Sequence, residues 1–320
     1  FVARIPTGEI RLEAGLGVGR VTRPGLRVPP GEPAINPEPR WQIAAAVSEA
    51  LDQAQATRNH EPLGGVLVRV EVPDGQRLAQ QTMNPRLGIE GGISILGTRG
   101  TVRPYSHEAF LATIERCLAV AAAAGLRHVG FCTGRRSEAL LRALFPDWPE
   151  AAFIPTADFF EPAMAAAARA GMTTVTWGVF VGKLVKHGQG LASTHARDGR
   201  VDFPALARCC EDSGVSPALL PEIAGANTVL QVRDLLAHDD TLHAVCATLA
   251  ERATDHAQAF AAAALDSGAA KRQNAAGVRV GYAVFDLDGG CVLLRPAPPA
   301  TSTMTPTVAQ NSPSSATETT

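Results

Sequence analysis

The order of apolar and polar positions changes character near residue 106. Before it, short β-like runs are broken by glycine and proline, and one helical stretch spans about residues 38–56. Residues 66–72 alternate and run into Pro73, Asp74 and Gly75, so the spacing predicts a hairpin. Residues 93–96 and 101–102 read as further short strands. The pattern is that of a Gly/Pro-rich α+β lobe.

From Ser106 on, helical and strand periods alternate. Ser106 is placed to cap a helix with Phe110, Ile114, Leu118 and Ala121 on one face, and Gly125 ends it. A short apolar run at 129–131 stops at Thr133 and Gly134, and a helix carrying Leu140, Leu141 and Leu144 follows. A second strand is expected at 151–154. Asp158 with Glu161 three residues on reads as a capping box opening an Ala-rich helix that stops at Gly171. Residues 173–181 are almost continuously apolar and β-branched, as a strand buried on both faces would be. Strands and helices alternating at this spacing predict right-handed crossovers and a Rossmann-like parallel sheet. Helical patterns continue after Pro204, at 229–236 and at 242–265. Residues 278–285 and 291–294 then form a hairpin about the turn 286–290.

The expected fold class is therefore α/β with two lobes. An α+β lobe spans 1–105, a parallel α/β lobe spans 106–239, and residues 240–296 are assigned a return to complete the first lobe. Residues 297–320 are Pro, Ser and Thr with almost no apolar content and read as a disordered tail.

Composition narrows the function. Hydrophobic residues make up 46% of the 320 and charged residues 19%, enough apolar content for a sizeable core. A net charge of -2 argues against a nucleic-acid coat, which needs a basic face. No apolar run reaches the ~18 residues needed to cross a bilayer. Six cysteines in so long a chain are no disulfide framework, and Cys209 and Cys210 are adjacent, so a reducing cytoplasm is expected. The chain opens on Phe1, which leads to the expectation that part of the natural N-terminus is missing. Only three of the 29 basic residues are lysine, and two of them, Lys183 and Lys186, lie within four residues. No oligomeric state is implied.

Most chemical motifs fail on spacing. Gly15, Gly17 and Gly19 lack the dinucleotide fingerprint, and a Pro-rich segment follows where a helix should begin. Residues 178–183 miss a phosphate-binding loop because Trp177 and Leu184 stand at required positions. Cys132 leads a strand-to-helix turn, but Glu138 replaces the arginine a phosphatase needs. Metal-ligand spacings are missing, so no metal is expected.

Two segments remain. Residues 82–100 hold Gly88, Gly91, Gly92, Gly97 and Gly100, with Thr98 beside Arg99, and with Arg86 and Arg103 nearby. The glycines permit close backbone approach to a ligand, and the arginines suit carboxylates; a glycine-kinked connection between strands is the alternative. Gly182, Lys183 and Lys186 follow the most apolar strand, where open α/β sheets bind ligands. A solvated lysine pair is the alternative there.

These same residues carry a family resemblance. The run 84–100 resembles the signature of the CbiD family, the cobalt-precorrin-5B C1-methyltransferases of anaerobic cobalamin biosynthesis. So do the stretches 17–26, 31–37 and 182–186, in order along the chain. The family's opening Thr-Thr-Gly-Thr-Cys segment is not present, and Asp158, Phe159, Phe160 and Glu161 depart from its Asn-Phe-Val-Gly type. The resemblance implies methyl transfer from S-adenosylmethionine to a ring carbon of a small-molecule corrinoid, with no metal site or nucleic-acid or membrane partner. It singles out no catalytic side chain. On it, Thr133, Gly134, Asp158, Gly182 and Lys183 are expected to hold the donor. Arg86, Gly88, Gly91, Gly92, Gly97, Thr98, Arg99, Arg103 and Lys186 are expected to hold the macrocycle. A non-catalytic corrinoid carrier is the alternative.

Overall fold

The structure, a computed structural model, describes residues 2–5, 8–57, 64–95, 107–195, 197–266 and 277–295. They fall into two compact units, 1–127 and 128–320. The expected boundary at 105/106 thus moves past the first long helix of the alternating pattern.

Unit 1 begins with β1 (Val2–Ile5), β2 (Ile10–Ala14), β3 (Gly17–Val18) and β4 (Arg20–Val21). Helix α1 (Pro37–Thr57), strand β5 (Gly65–Val70) and helix α2 (Gly75–Ala79) follow, then β6 (Ile89–Glu90), β7 (Gly92–Ile93) and α3 (His107–Ala123). The helix at 38–56 is where the pattern put it. The hairpin at 66–72 is not formed. Strand β5 lies between β1, antiparallel, and β2, parallel, so both its edges are filled from the N-terminus. The turn after it is pinned instead: Val72 N–H donates to Leu16 O, and Gly75 N–H to Val72 O. A Cβ on Gly75 would stand 2.0 Å from Gly17 O, so only glycine allows this approach. From there the chain enters α2.

Unit 2 alternates β8 (His128–Cys132), α4 (Arg135–Leu144), β9 (Phe153–Pro155), α5 (Phe160–Arg169) and β10 (Thr174–Phe180). Then come α6 (Val181–Gly188), α7 (Phe203–Asp212), α8 (Leu220–Ala224), α9 (Val229–His238) and α10 (Leu242–Asp266), with β11 (Arg279–Phe285) and β12 (Cys291–Arg295) last. The sheet order is β12-β11-β10-β8-β9; the four strands β11, β10, β8 and β9 run parallel and β12 is antiparallel at the edge. The parallel sheet is as the alternation predicted. The late hairpin, however, completes this sheet and not the first lobe, with β11 in full register beside β10.

Side chains alternate across this sheet. On one face Phe131, Trp177 and Tyr282 form a row across three strands, all fully buried. Phe160 meets Trp177 edge-on at 5.4 Å and stacks on His187 at 3.8 Å, closing that side. His187 Nδ1 and Tyr282 Oη share a 3.2 Å hydrogen bond. Burial holds the His187 imidazole well below its ordinary pKa and lifts the Tyr282 phenol, so both are neutral. On the other face the matching row is small: Cys132, Gly178 and Ala283. That leaves room for Leu141 of α4, which packs on Cys132, Phe145, Phe153, Ala283 and Phe285. The small row brings α4 close to the sheet and fixes where its N-terminus opens.

Candidate functional site

The strand order reverses between β8 and β10: the chain goes from β8 outward to β9, then back across to β10. In open α/β sheets ligands bind at such a reversal, outside the carboxyl ends of the strands. A cavity of about 500 Å³ lies there, entered past Thr133 and Gly134 after β8, Gly182 and Lys183 after β10, and Asp286 after β11. Four of the five residues expected to hold the donor therefore line one cavity, and so does Lys186.

Asp158, the fifth, is not on the cavity wall. The capping box expected from Asp158 and Glu161 does not form: α5 starts at Phe160, with Phe159 before it and no side-chain cap. Ala157 has φ 49, a left-handed backbone that costs a non-glycine residue about 1–2 kcal/mol. Immediately after this turn the Asp158 carboxylate accepts hydrogen bonds from Lys183 Nζ and, at 2.9 Å, from Thr194 Oγ1. Lys183 Nζ also donates to Thr194 Oγ1 at 3.0 Å, and Lys186 Nζ to Thr194 O at 2.8 Å. Burial opposes charge on Asp158, but the Lys183 and Thr194 hydrogen bonds outweigh it and hold its pKa below the ordinary value. Burial and the neighbouring Lys183 charge lower the Lys186 pKa. Asp158 thus anchors the lysine segment, which is the first turns of α6 and not a loop.

Three wall residues were not visible in the sequence. Arg233 of α9 donates to both carboxylate oxygens of Asp286, with Nε at 2.8 Å from Oδ1. The pairing raises the Arg233 pKa and lowers that of Asp286. Arg136 donates to Leu287 O and lies over the Phe180 ring at 5.3 Å. These partners are 53 and 151 residues apart in sequence, and Asp286 reads as a turn residue until the fold brings Arg233 to it.

The glycine segment of unit 1 divides differently from the expectation. A second cavity, of about 610 Å³, is walled by Thr82, Asn84, Leu87, Ile89, Ile93 and Ser94 of this segment, with Asn36, Glu38 and α3 residues. Arg86, Gly88, Gly91 and Gly92 are not on its wall, and their glycines have backbone reasons. Gly88 and Gly91 have φ of 72 and 81, and Gly92 faces Gly17 across the β3–β7 ladder. Gly97, Thr98, Arg99 and Arg103 lie outside the described residues. Glu38 contributes an oxygen, Oε2, that is shut from solvent and has no hydrogen-bond partner among the described residues. Its other oxygen is 3.8 Å from Arg27 Nη1.

Among the described residues no group of three or more His, Cys, Asp or Glu could hold a metal ion, and no helix is long and apolar enough to cross a membrane. All six cysteines are free thiols, five of them buried. Burial pushes Cys210 and Cys246 up to about 12, which leaves them protonated and unreactive at neutral pH.

A parallel α/β unit with a cavity at its strand-order reversal, and a second unit with a cavity of its own, define an α/β protein with room for small molecules. The chain belongs to the CbiD family: a model described as CbiD matches residues 2–104 and one described as CbiD, C-terminal domain, matches 193–295. It is 50% identical over 255 residues to the cobalt-precorrin-5B C(1)-methyltransferase of Nitratidesulfovibrio vulgaris, covering 80% of this chain and 64% of that protein. The proteins of that name from Geobacillus kaustophilus and Thermus thermophilus are 46% and 40% identical over 227 and 252 residues. Those matches cover 71% and 79% of this chain and 59% and 66% of theirs. This chain thus spans roughly three fifths to two thirds of the length of the curated relatives it matches. A crystal structure of the cobalamin biosynthesis protein cbiD from Archaeoglobus fulgidus is 27% identical, with 58% of this chain and 54% of that one covered at a TM-score of 0.23.

Proposed function

We propose that this protein is an S-adenosylmethionine-dependent methyltransferase acting on C1 of cobalt-precorrin-5B, in the cytoplasm. The activity for which relatives up to 50% identical are named supports the reaction, and six free thiols favour a reducing compartment. The observation that carries the reading is the 50% identity over 255 residues to a protein named for that activity. Two ligand-sized cavities, one in each unit, are compatible with a reaction that takes a donor and an acceptor.

When bound, S-adenosylmethionine supplies a methyl group that is already electrophilic on its sulfonium. The protein's work is to align donor and ring carbon and to exclude water, and no acid–base pair is demanded. The cavity of unit 1 suits the donor. Leu87, Ile89 and Ile93 offer an apolar wall for a purine. The half-exposed Glu38 carboxylate on the same wall, whose Oε1 lies 3.8 Å from Arg27 Nη1, offers a charged acceptor for an ammonium or ribose hydroxyl. The cavity of unit 2 suits the donor less: its one carboxylate, Asp286, is already held by Arg233.

Calorimetry tests this. S-adenosylmethionine is expected to bind the wild type, and Glu38→Gln to weaken it about tenfold, as loss of a charge-assisted hydrogen bond of about 1.5 kcal/mol would. No binding to the wild type is the result a non-catalytic corrinoid carrier would give.

A further inference from the structure

We infer that the unit 2 cavity is the site for the carboxylate arms of the macrocycle, with the amides around Gly182 as its anion-binding centre. The inference rests on the methyltransferase reading for the identity of its ligand, and reverses the division of residues expected from the sequence.

The wall of this cavity carries five cationic side chains, Arg135, Arg136, Lys183, Lys186 and Arg233, against a single carboxylate, Asp286. Asp286 is spent on Arg233 and Asp158 on Lys183. Asp234 pairs with Arg233 as well, at 2.6 Å, and Asp158 and Asp198 act on Lys186 from a distance. Still, no carboxylate pairs directly with Arg135, Arg136 or Lys186 among the described residues, so the wall keeps a smaller excess of positive charge. A sulfonium donor, itself cationic, is repelled by such a wall; a polycarboxylate is drawn to it.

The backbone points the same way. Helices α4 and α6 both begin at the cavity, and neither has a side-chain cap: their capping positions are Gly134 and Phe180, which have no side-chain oxygen. Helices α7 and α9 are capped by Asp202 and Thr228, while α5 and α8, which do not line the cavity, are uncapped too. What sets α4 and α6 apart is that their first turns open on it. A first turn without a cap leaves N–H groups in need of an acceptor, and here they open on a cationic cavity. The Gly134 N–H is satisfied by Ser137 Oγ at 3.1 Å, which makes α6 the freer of the two starts. At Gly182 a Cβ would meet nothing within 4 Å, so the absence of a side chain there serves access and not packing.

The apolar part of the wall indicates what bears the anions. Phe180, Val181 and Phe285 line the interior, and Leu230 and Leu287 on the wall are 49% and 50% exposed, unusual for leucine in a protein with a well-buried core. Charges beside exposed leucines fit a broad apolar ring system edged by carboxylates. A compact phosphate ester would use the charges and leave the leucines wet.

The test is Gly182→Asp in the full chain. An aspartate here has room, and an acidic residue in the first turn of a helix favours the fold, so the melting temperature is expected to stay level or rise. Titration with cobyrinic acid, a corrin polycarboxylate, followed by corrin absorbance, is expected to show affinity at least tenfold below wild type. The neutral, fully esterified corrin is expected to bind neither protein well, and the S-adenosylmethionine dissociation constant to stay within about twofold. Unchanged cobyrinic acid affinity in folded Gly182→Asp overturns the inference. So does loss of S-adenosylmethionine binding in its place, or a nucleoside monophosphate that displaces the corrin at equal concentration. A wild type that binds the polycarboxylate but not S-adenosylmethionine upholds this site and defeats the methyltransferase reading instead.

Discussion

Gly92→Ala is expected to destabilise unit 1 by roughly 3 kcal/mol, the upper range for forcing an extra methyl into a packed site. An added Cβ would stand 2.1 Å from Gly17 O and 2.2 Å from Gly17 C, both backbone atoms of the neighbouring strand. No rotamer change relieves that. The strands must part, and the 2.8 Å bond from Gly19 N–H to Ile93 O is lost with them. Gly91→Ala is the control: its Cβ would meet nothing, and only its φ of 81 opposes it, at about 1–2 kcal/mol. Chemical denaturation gives the stabilities, and hydrogen exchange at the Gly19 amide locates the damage. A Gly92→Ala protein within 1 kcal/mol of wild type, with the Gly19 amide still protected, would mean this glycine is free for a ligand, as its motif first suggests.

The second large effect is expected in unit 2. Leu141 is fully buried, and truncation of such a leucine to alanine costs about 2–5 kcal/mol. The upper half of that range is expected, because the strands beneath it cannot collapse into the gap. Cβ atoms built on Gly130 and Gly178 would lie 2.7 Å and 3.2 Å from the Leu141 side chain, so it sits directly on backbone that hydrogen bonds hold in register. Urea unfolding followed by Trp177 fluorescence reports on this unit, since that indole is fully buried beside β8 and β11. A loss below about 1.5 kcal/mol would contradict the packing described, being less than the transfer term alone. The consequence extends to the cavity, because Leu141 is what seats α4 against the sheet and so positions Gly134 and Arg135.

What was legible in the sequence was local. The run 173–181 announced β10 because a strand buried on both faces needs nothing but apolar, β-branched residues. Gly125 announced the end of α3, where its φ of 81 and the Leu126 N–H bond to Ala121 O now explain it. Pro204 marked the first turn of α7, where helices favour proline, and the structure adds Asp202 as its cap. What failed depended on partners distant in sequence. Alternation at 66–72 gave a strand but could not say that β1 and β2 fill its edges. Asp158 and Glu161 had capping-box spacing, yet a lysine 25 residues on claims the carboxylate. Gly88, Gly91 and Gly92 looked like a ligand cradle because positive φ and close backbone approach serve turns and ligands equally.

The family's activity is tested most directly by incubating the protein with cobalt-precorrin-5B and S-adenosylmethionine carrying a carbon-13 methyl group, then locating the label by nuclear magnetic resonance. The account predicts one new labelled methyl on the corrinoid, at C1, formed only when both ligands and folded protein are present. Label at another ring carbon, or an unlabelled corrinoid recovered from a protein that binds both ligands, would contradict it.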